Sequence, residues 1–129
     1  MPLPDTIVDF WSMLFDQQCA TIVMLNESSE DRETSGVYWP IEKVVSYGPF
    51  NVEIISTRQS GKAITVRELR LVNSRDQSGS PREVRQFQFH DWITSEPVPP
   101  SPRAFLELFD AVQQWQQKSE NTSITVHCM

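Results

Sequence analysis

The sequence predicts an α/β fold built on a mixed β-sheet, and three observations predict it. Two stretches with apolar residues at helical spacing, 5–18 and 101–118, bracket most of the chain. Between them, β-type segments run from Phe50 to Thr57 and from Ile64 to Val72, joined by the turn-forming Arg58-Gln59-Ser60-Gly61-Lys62. The short run Ile22-Val23-Met24-Leu25 is apolar at every position. Such a strand suits a place covered on both faces, typical of the parallel part of a sheet. The order helix, buried strand, meander, strand, helix, strand is that of an α/β domain with a mixed sheet.

Each element has its own signal. From Asp5 to Gln18, Ile7, Val8, Phe10, Trp11, Leu14 and Phe15 form one wide apolar face, with Thr6 and Asp9 spaced for a capping box or Asp5 capping directly. Asn26 to Gly36 is polar and acidic and reads as a surface loop. In the second β-type segment, Ile64 and Val66 alternate on even positions but Leu69 and Leu71 on odd ones. That change of parity predicts a bulge or bend near Arg67-Glu68. Asn73 to Arg82 reads as a loop, and Val84 to Trp92 as a strand with Phe87 and Phe89 on one face. Pro97, Pro99, Pro100 and Pro102 then break regular structure, and Ser101 and Pro102 suit the cap and first position of a helix to about Lys118. That helix is expected to bury Phe105, Leu108, Phe109, Val112 and Trp115, and Ser123 to His127 forms a last strand.

Composition narrows the function classes. At 129 residues and 39% hydrophobic, with four Trp and seven Phe, the chain suits one globular domain or a large piece of one. Net charge is −6, and residues 1–36 carry seven acids against one base. This sign disfavours nucleic acid as a partner. No apolar run approaches the roughly 20 residues that span a bilayer, so direct membrane insertion is not expected, and the chain reads as soluble and intracellular or as a soluble part of something larger. Two cysteines, Cys19 and Cys128, are too few for a secreted disulfide framework. His90, Asp91 and His127 lack structural-zinc spacing, and neither metal nor cofactor is expected.

Three motifs carry chemistry: Tyr38-Trp39-Pro40; the stretch from Val84 to Trp92; and Ile124-Thr125-Val126-His127-Cys128, an apolar strand delivering a His-Cys pair. Together they resemble the classical protein tyrosine phosphatase domain, in which valine-His-Cys introduces the nucleophile. The resemblance runs from about Leu3 to Cys128 and is closest in detail to receptor-type members, which often carry two such domains in tandem. It implies a highly twisted mixed sheet flanked by helices, without the helices that follow the cysteine loop in that family. It also implies that residues 1–129 are the N-terminal portion of one phosphatase domain.

Hydrolysis of phosphotyrosine needs a thiolate, donors for three phosphoryl oxygens, a proton for the leaving phenolate and a positioned water. A free cysteine has a pKa near 8.5, so the thiolate needs a helix N-terminus and cationic neighbours. By resemblance Cys128 holds the nucleophile position and His127 the residue before it. The family continues from there through a loop to an arginine, whereas here one methionine follows Cys128. The family's general acid lies in a Trp-Pro-Asp stretch on a mobile loop, and general acid catalysis contributes roughly 10² to 10⁴ in rate. The matching stretch is Trp92-Ile93-Thr94-Ser95-Glu96-Pro97. Thr94 stands where the acid would be, and a hydroxyl is too weak an acid to replace it at neutral pH. Glu96 is a carboxyl two residues further on. In the loop before Tyr38-Trp39-Pro40, Glu30 can take the place of the family's glutamate that supports the phosphate-loop arginine.

The resemblance therefore implies a regulatory or docking role, as in a membrane-distal second domain, on the cytoplasmic side of a receptor. Its partners would be phosphotyrosine proteins or a companion phosphatase domain, with self-association through an exposed apolar sheet face as a further expectation. One alternative is a piece of an active phosphatase working through a cysteinyl-phosphate. Another is a small interaction protein of unrelated lineage, using its acidic loop or the Pro97–Pro102 segment.

Overall fold

The computed structural model describes residues 2–26, 37–76, 79–92, 96–120 and 123–128. Helix α1 (Ile7–Asp16) leads into β1 (Thr21–Met24), followed by β2 (Val44–Tyr47), β3 (Phe50–Ser60), β4 (Ile64–Asn73), β5 (Arg82–Phe89), α2 (Pro102–Ser119) and β6 (Thr125–His127). The strands form one sheet in the order β2-β3-β4-β5-β1-β6. Strands β2 to β5 make an antiparallel meander, and β1 pairs in parallel with both β5 and β6. This is the α/β class with a mixed sheet that the pattern predicts. The all-apolar strand lies in its parallel part, with all four residues of β1 buried.

The two faces of the sheet carry separate cores. On one, Trp11 and Leu14 of α1 pack against Ile22, Met24, Val52, Leu69 and Leu71, with Tyr38 and Trp39 closing the layer. On the other, Leu108, Val112 and Trp115 of α2 cover Val23, Ile64, Val66, Phe87 and Phe89. Indole N–H groups fasten both helices: Trp11 Nε1 donates to Tyr38 O at 2.9 Å and Trp115 Nε1 to Ala20 O at 2.8 Å. Each ring thus buries a large apolar area without stranding its one donor.

The bulge expected near Arg67-Glu68 is found opposite Glu68 and Leu69, carried by β3 and not by β4. Residues Ile64 to Leu71 pair with β5 in unbroken register. The parity changes because Ile64 and Val66 face the α2 side while Leu69 and Leu71 face the α1 side. Each half of the strand is apolar where a helix covers it. The register shift lies in the neighbouring strand, between Ile54 and Ser56 of β3.

Three further expectations change. Phe109 is 58% exposed, because the apolar stripe of α2 is wider than the sheet beneath it. It lines a groove of about 400 Å³ with Val112, Ile124 and Val126 beside β6. The α1 start has no side-chain cap; a 3₁₀ turn, Pro4–Thr6, precedes it, and Thr6 Oγ1 instead bonds Leu3 N and O. Ser101 does cap α2, accepting from Ala104 N at 3.2 Å. Strand β2 is absent from the sequence reading, since its four residues are short and mostly exposed. Its hairpin to β3 turns on Gly48-Pro49, with Tyr47 opposite Phe50. Gly48 has φ +59°, and a Cβ there would lie 2.9 Å from Val8 Cγ1 of α1.

Two stability predictions follow from this packing. Gly48→Ala meets both a positive φ and the Val8 methyl, so chemical denaturation is expected to show a loss above about 1 kcal/mol; an unchanged midpoint would contradict that strain. Trp11→Ala removes a fully buried ring and its bond to Tyr38, and a loss of about 3–5 kcal/mol is expected in the same measurement.

Candidate active site

Parallel pairing decides where the site lies. Met24 of β1 is opposite both Gln88 of β5 and His127 of β6, so the three strands end together. The segments that leave these ends are Leu25 and Asn26, then His90 to Trp92, and finally Cys128. Ligand sites in such sheets form outside the carboxyl ends of the parallel strands. Tyr38-Trp39 packs in the α1-side layer beside this edge. The three motifs, remote in sequence, are thus brought to one place.

His127 is the best-defined member. Its carbonyl accepts from Leu25 N at 3.0 Å, and its ring packs edge-on against Tyr38 (5.2 Å between centroids) and Phe10 (6.1 Å). Nε2 lies 2.6 Å from the Tyr38 hydroxyl. Nδ1 is buried with no partner at standard hydrogen-bond geometry, although the adjacent Cys128 backbone is close enough to favour the protonated ring slightly. Burial outweighs this and brings the imidazole pKa down from 6.5 to about 4. His127 is therefore neutral at physiological pH. Cys128 is exposed.

Behind Tyr38 lies a polar network that the sequence reading misses. Tyr38 is wholly buried, and burial pushes its hydroxyl pKa far above the ordinary value, with Gln86 and Arg67 partly offsetting this. Gln86 Nε2 donates to Tyr38 Oη at 2.7 Å. Arg67 Nη1 donates to Gln86 Oε1 at 2.8 Å and to Gln88 Oε1 at 2.9 Å, while its guanidinium stacks 4.9 Å from the Trp39 ring. Gln88 Nε2 in turn donates to Asn26 O at 3.1 Å. Gln86 and Gln88 alternate with Phe87 and Phe89 and so look solvent-facing, yet both are buried because the α1-side layer with Tyr38 and Trp39 covers that face. The available signal is that β5 neighbours a strand with no exposed residue.

After β5, Trp92 is tied to α2 and to the backbone of Glu96. Trp92 packs edge-on against Phe105 at 6.1 Å, and its Nε1 donates to Glu96 O at 3.0 Å. The Glu96 backbone is thereby held beside Trp92, and the residue is exposed. Thr94 and Glu30 lie outside the described residues. His90 and His127 have different partners, Thr65 Oγ1 for the first at 2.6 Å and Tyr38 for the second. Among the described residues no group of three or more His, Cys, Asp or Glu is placed to hold a metal. No helix among them is long and apolar enough to cross a membrane.

The depressed His127 pKa sets a pH dependence of stability. The unfolded ring binds a proton near pH 6.5 and the folded one near 4, so the stabilisation is full above 6.5 and is lost as pH falls towards 4. After allowance for the ring's partial exposure this amounts to about 1–2 kcal/mol. Denaturation at pH 7 and pH 4.5 is expected to show a smaller acid loss in His127→Gln than in the wild type. Equal losses would assign the acid sensitivity to other groups.

The sequence profile described as Protein-tyrosine phosphatase matches residues 1–129. Human receptor-type tyrosine-protein phosphatase alpha is 39% identical over 128 residues, covering 98% of this chain and 16% of the relative. The mouse epsilon form is 38% identical over 131 residues (98% and 18%), and the chicken receptor-type phosphatase U is 33% identical over 130 residues (99% and 9%). The chain thus spans less than a fifth of the length of these relatives. An interaction protein of unrelated lineage is ruled out by these matches. With the twisted mixed sheet, the Tyr38-Trp39 layer and the His127-Cys128 strand end on the same footing, the chain belongs to the protein-tyrosine phosphatase family, with receptor-type members among its relatives.

Proposed function

We propose that residues 1–129 form part of a receptor-type phosphatase domain that does not hydrolyse phosphotyrosine and acts instead as a regulatory or docking unit on the cytoplasmic side of a membrane receptor. Thr94 carries this reading. It occupies the place after Trp92 where the family has its aspartic acid, and without an acid the phenolate must leave unprotonated, forfeiting roughly 10² to 10⁴ in rate. The state of His127 supports it. A neutral imidazole contributes no positive charge beside Cys128, the nucleophile position, and cationic neighbours are one of the main ways a thiolate is favoured. The partners of such a unit would be phosphotyrosine proteins or a companion phosphatase domain.

One observation favours a rival, that the chain is part of an active enzyme working through a cysteinyl-phosphate. The hydrogen bond from Trp92 Nε1 to Glu96 O holds the backbone of a carboxyl-bearing residue beside Trp92. In that case Glu96 would protonate the leaving group.

Steady turnover of a phosphotyrosine peptide separates the two readings. The complete phosphatase domain that contains residues 1–129 and its Cys128→Ser variant are expected to give the same background rate. Turnover that Cys128→Ser abolishes and Glu96→Gln lowers by about 10²-fold or more would replace the proposal with the rival.

A further inference from the structure

Arg67, Gln86, Tyr38 and His127 form an unbroken hydrogen-bonded chain from β4 through β5 to the last strand. Its direction follows from counting donors. A guanidinium has donors only, so Arg67 Nη1 must meet oxygen atoms, and its two hydrogens are taken up by Gln86 Oε1 and Gln88 Oε1. That settles the Gln86 amide, whose oxygen and nitrogen ends are otherwise assigned from their surroundings. Its NH₂ group faces the Tyr38 oxygen, which accepts. The single phenolic hydrogen is then free for His127 Nε2 at 2.6 Å. In the reverse arrangement, with Nε2–H donating to Tyr38, the phenolic hydrogen would have no acceptor among the described residues in a wholly buried site. A buried polar group left unpaired in this way costs about 1–3 kcal/mol, whereas the Nδ1 hydrogen of the forward arrangement has the Cys128 backbone beside it, short of standard hydrogen-bond geometry.

We infer that Arg67 and Gln86 are positioning residues for the Cys128 position: they set the direction of the Tyr38–His127 hydrogen bond and so hold His127 as the tautomer whose hydrogen is on Nδ1. Burial supports this by keeping the phenol protonated and the imidazole neutral. The Nδ1 hydrogen then faces the Cys128 backbone, so residues on β4 and β5 govern the ring that abuts the cysteine. The bearing on Cys128 chemistry rests on the nucleophile-position reading above, whereas the state of the His127 ring does not.

Nuclear magnetic resonance of the full chain labelled with ¹⁵N-histidine reads the tautomer directly, with His90→Gln used to assign the two rings. At pH 7 the wild type is expected to show a protonated Nδ1 and an unprotonated Nε2 at His127; the opposite pattern overturns the inference without any further variant. Gln86→Glu replaces the donor by a carboxylate that takes the Tyr38 hydrogen. It is expected to reverse the tautomer and to shift the titration upward from about 4. Gln88→Glu places the same charge on Arg67 without touching Tyr38, and is expected to leave the tautomer as in the wild type. A wild-type tautomer in Gln86→Glu, or a reversed one in Gln88→Glu, would show that the direction is not set through Gln86.

Discussion

Four consecutive buried residues, Thr21–Met24, leave β1 neither an exposed face nor a free edge, and the Cys128 site depends on that constraint. A strand so apolar must lie between two others and beneath helices on both sides. It therefore sits between β5 and β6, with Ile22 and Met24 under α1 and Val23 under α2. Parallel pairing to both neighbours aligns their carboxyl ends, and the segments bearing Trp92 and Cys128 emerge at the same edge. Packing, more than any local motif, assembles the site.

The α1 face adds the polar half. A buried tyrosine needs a partner for its hydroxyl, and Tyr38 has two, Gln86 and His127. The same ring packs against Phe10 and Trp39, so the network is enclosed by aromatic surface. Low local polarity makes each of these hydrogen bonds stronger and each unpaired group more costly. The network thus ends at His127, the residue before Cys128. It also keeps His127 neutral, the opposite of what an electrostatically activated cysteine would want from its neighbour.

Much of this was legible in the sequence, and the reasons for the rest are physical. Strand β1 can be read because Ile22-Val23-Met24-Leu25 is apolar throughout, and α2 because Ser101 and Pro102 mark its start. Phe109 misled because helical periodicity gives the width of an apolar stripe but not the width of the sheet below it. The parity change between Val66 and Leu69 was real, yet it recorded which helix covers which half of β4 rather than a bulge in that strand. Gln86 and Gln88 were hidden because alternation in one strand shows two faces without showing that both are buried. Of the site residues, His127 meets Tyr38 through its ring, and Cys128 follows it in the chain. Arg67, which orients the whole network, sits in a strand with nothing in its local sequence to mark it. Strand β2 escapes for the opposite reason: Tyr47-Gly48-Pro49-Phe50 is a readable turn, but only Val44, Val45 and Ser46 precede it in the strand.

In the function proposed above, this family edge is preserved as architecture while its chemistry is lost at Thr94. Phosphoryl transfer to Cys128 is the step at which these part company, and it can be sought in a single turnover. The complete domain that contains residues 1–129 would be mixed in excess with a phosphotyrosine peptide, quenched in acid and digested, and the Cys128 peptide weighed by mass spectrometry. The account predicts an unmodified thiol at every time point. A phosphoryl adduct on Cys128 that forms and decays with the release of phosphate would contradict it.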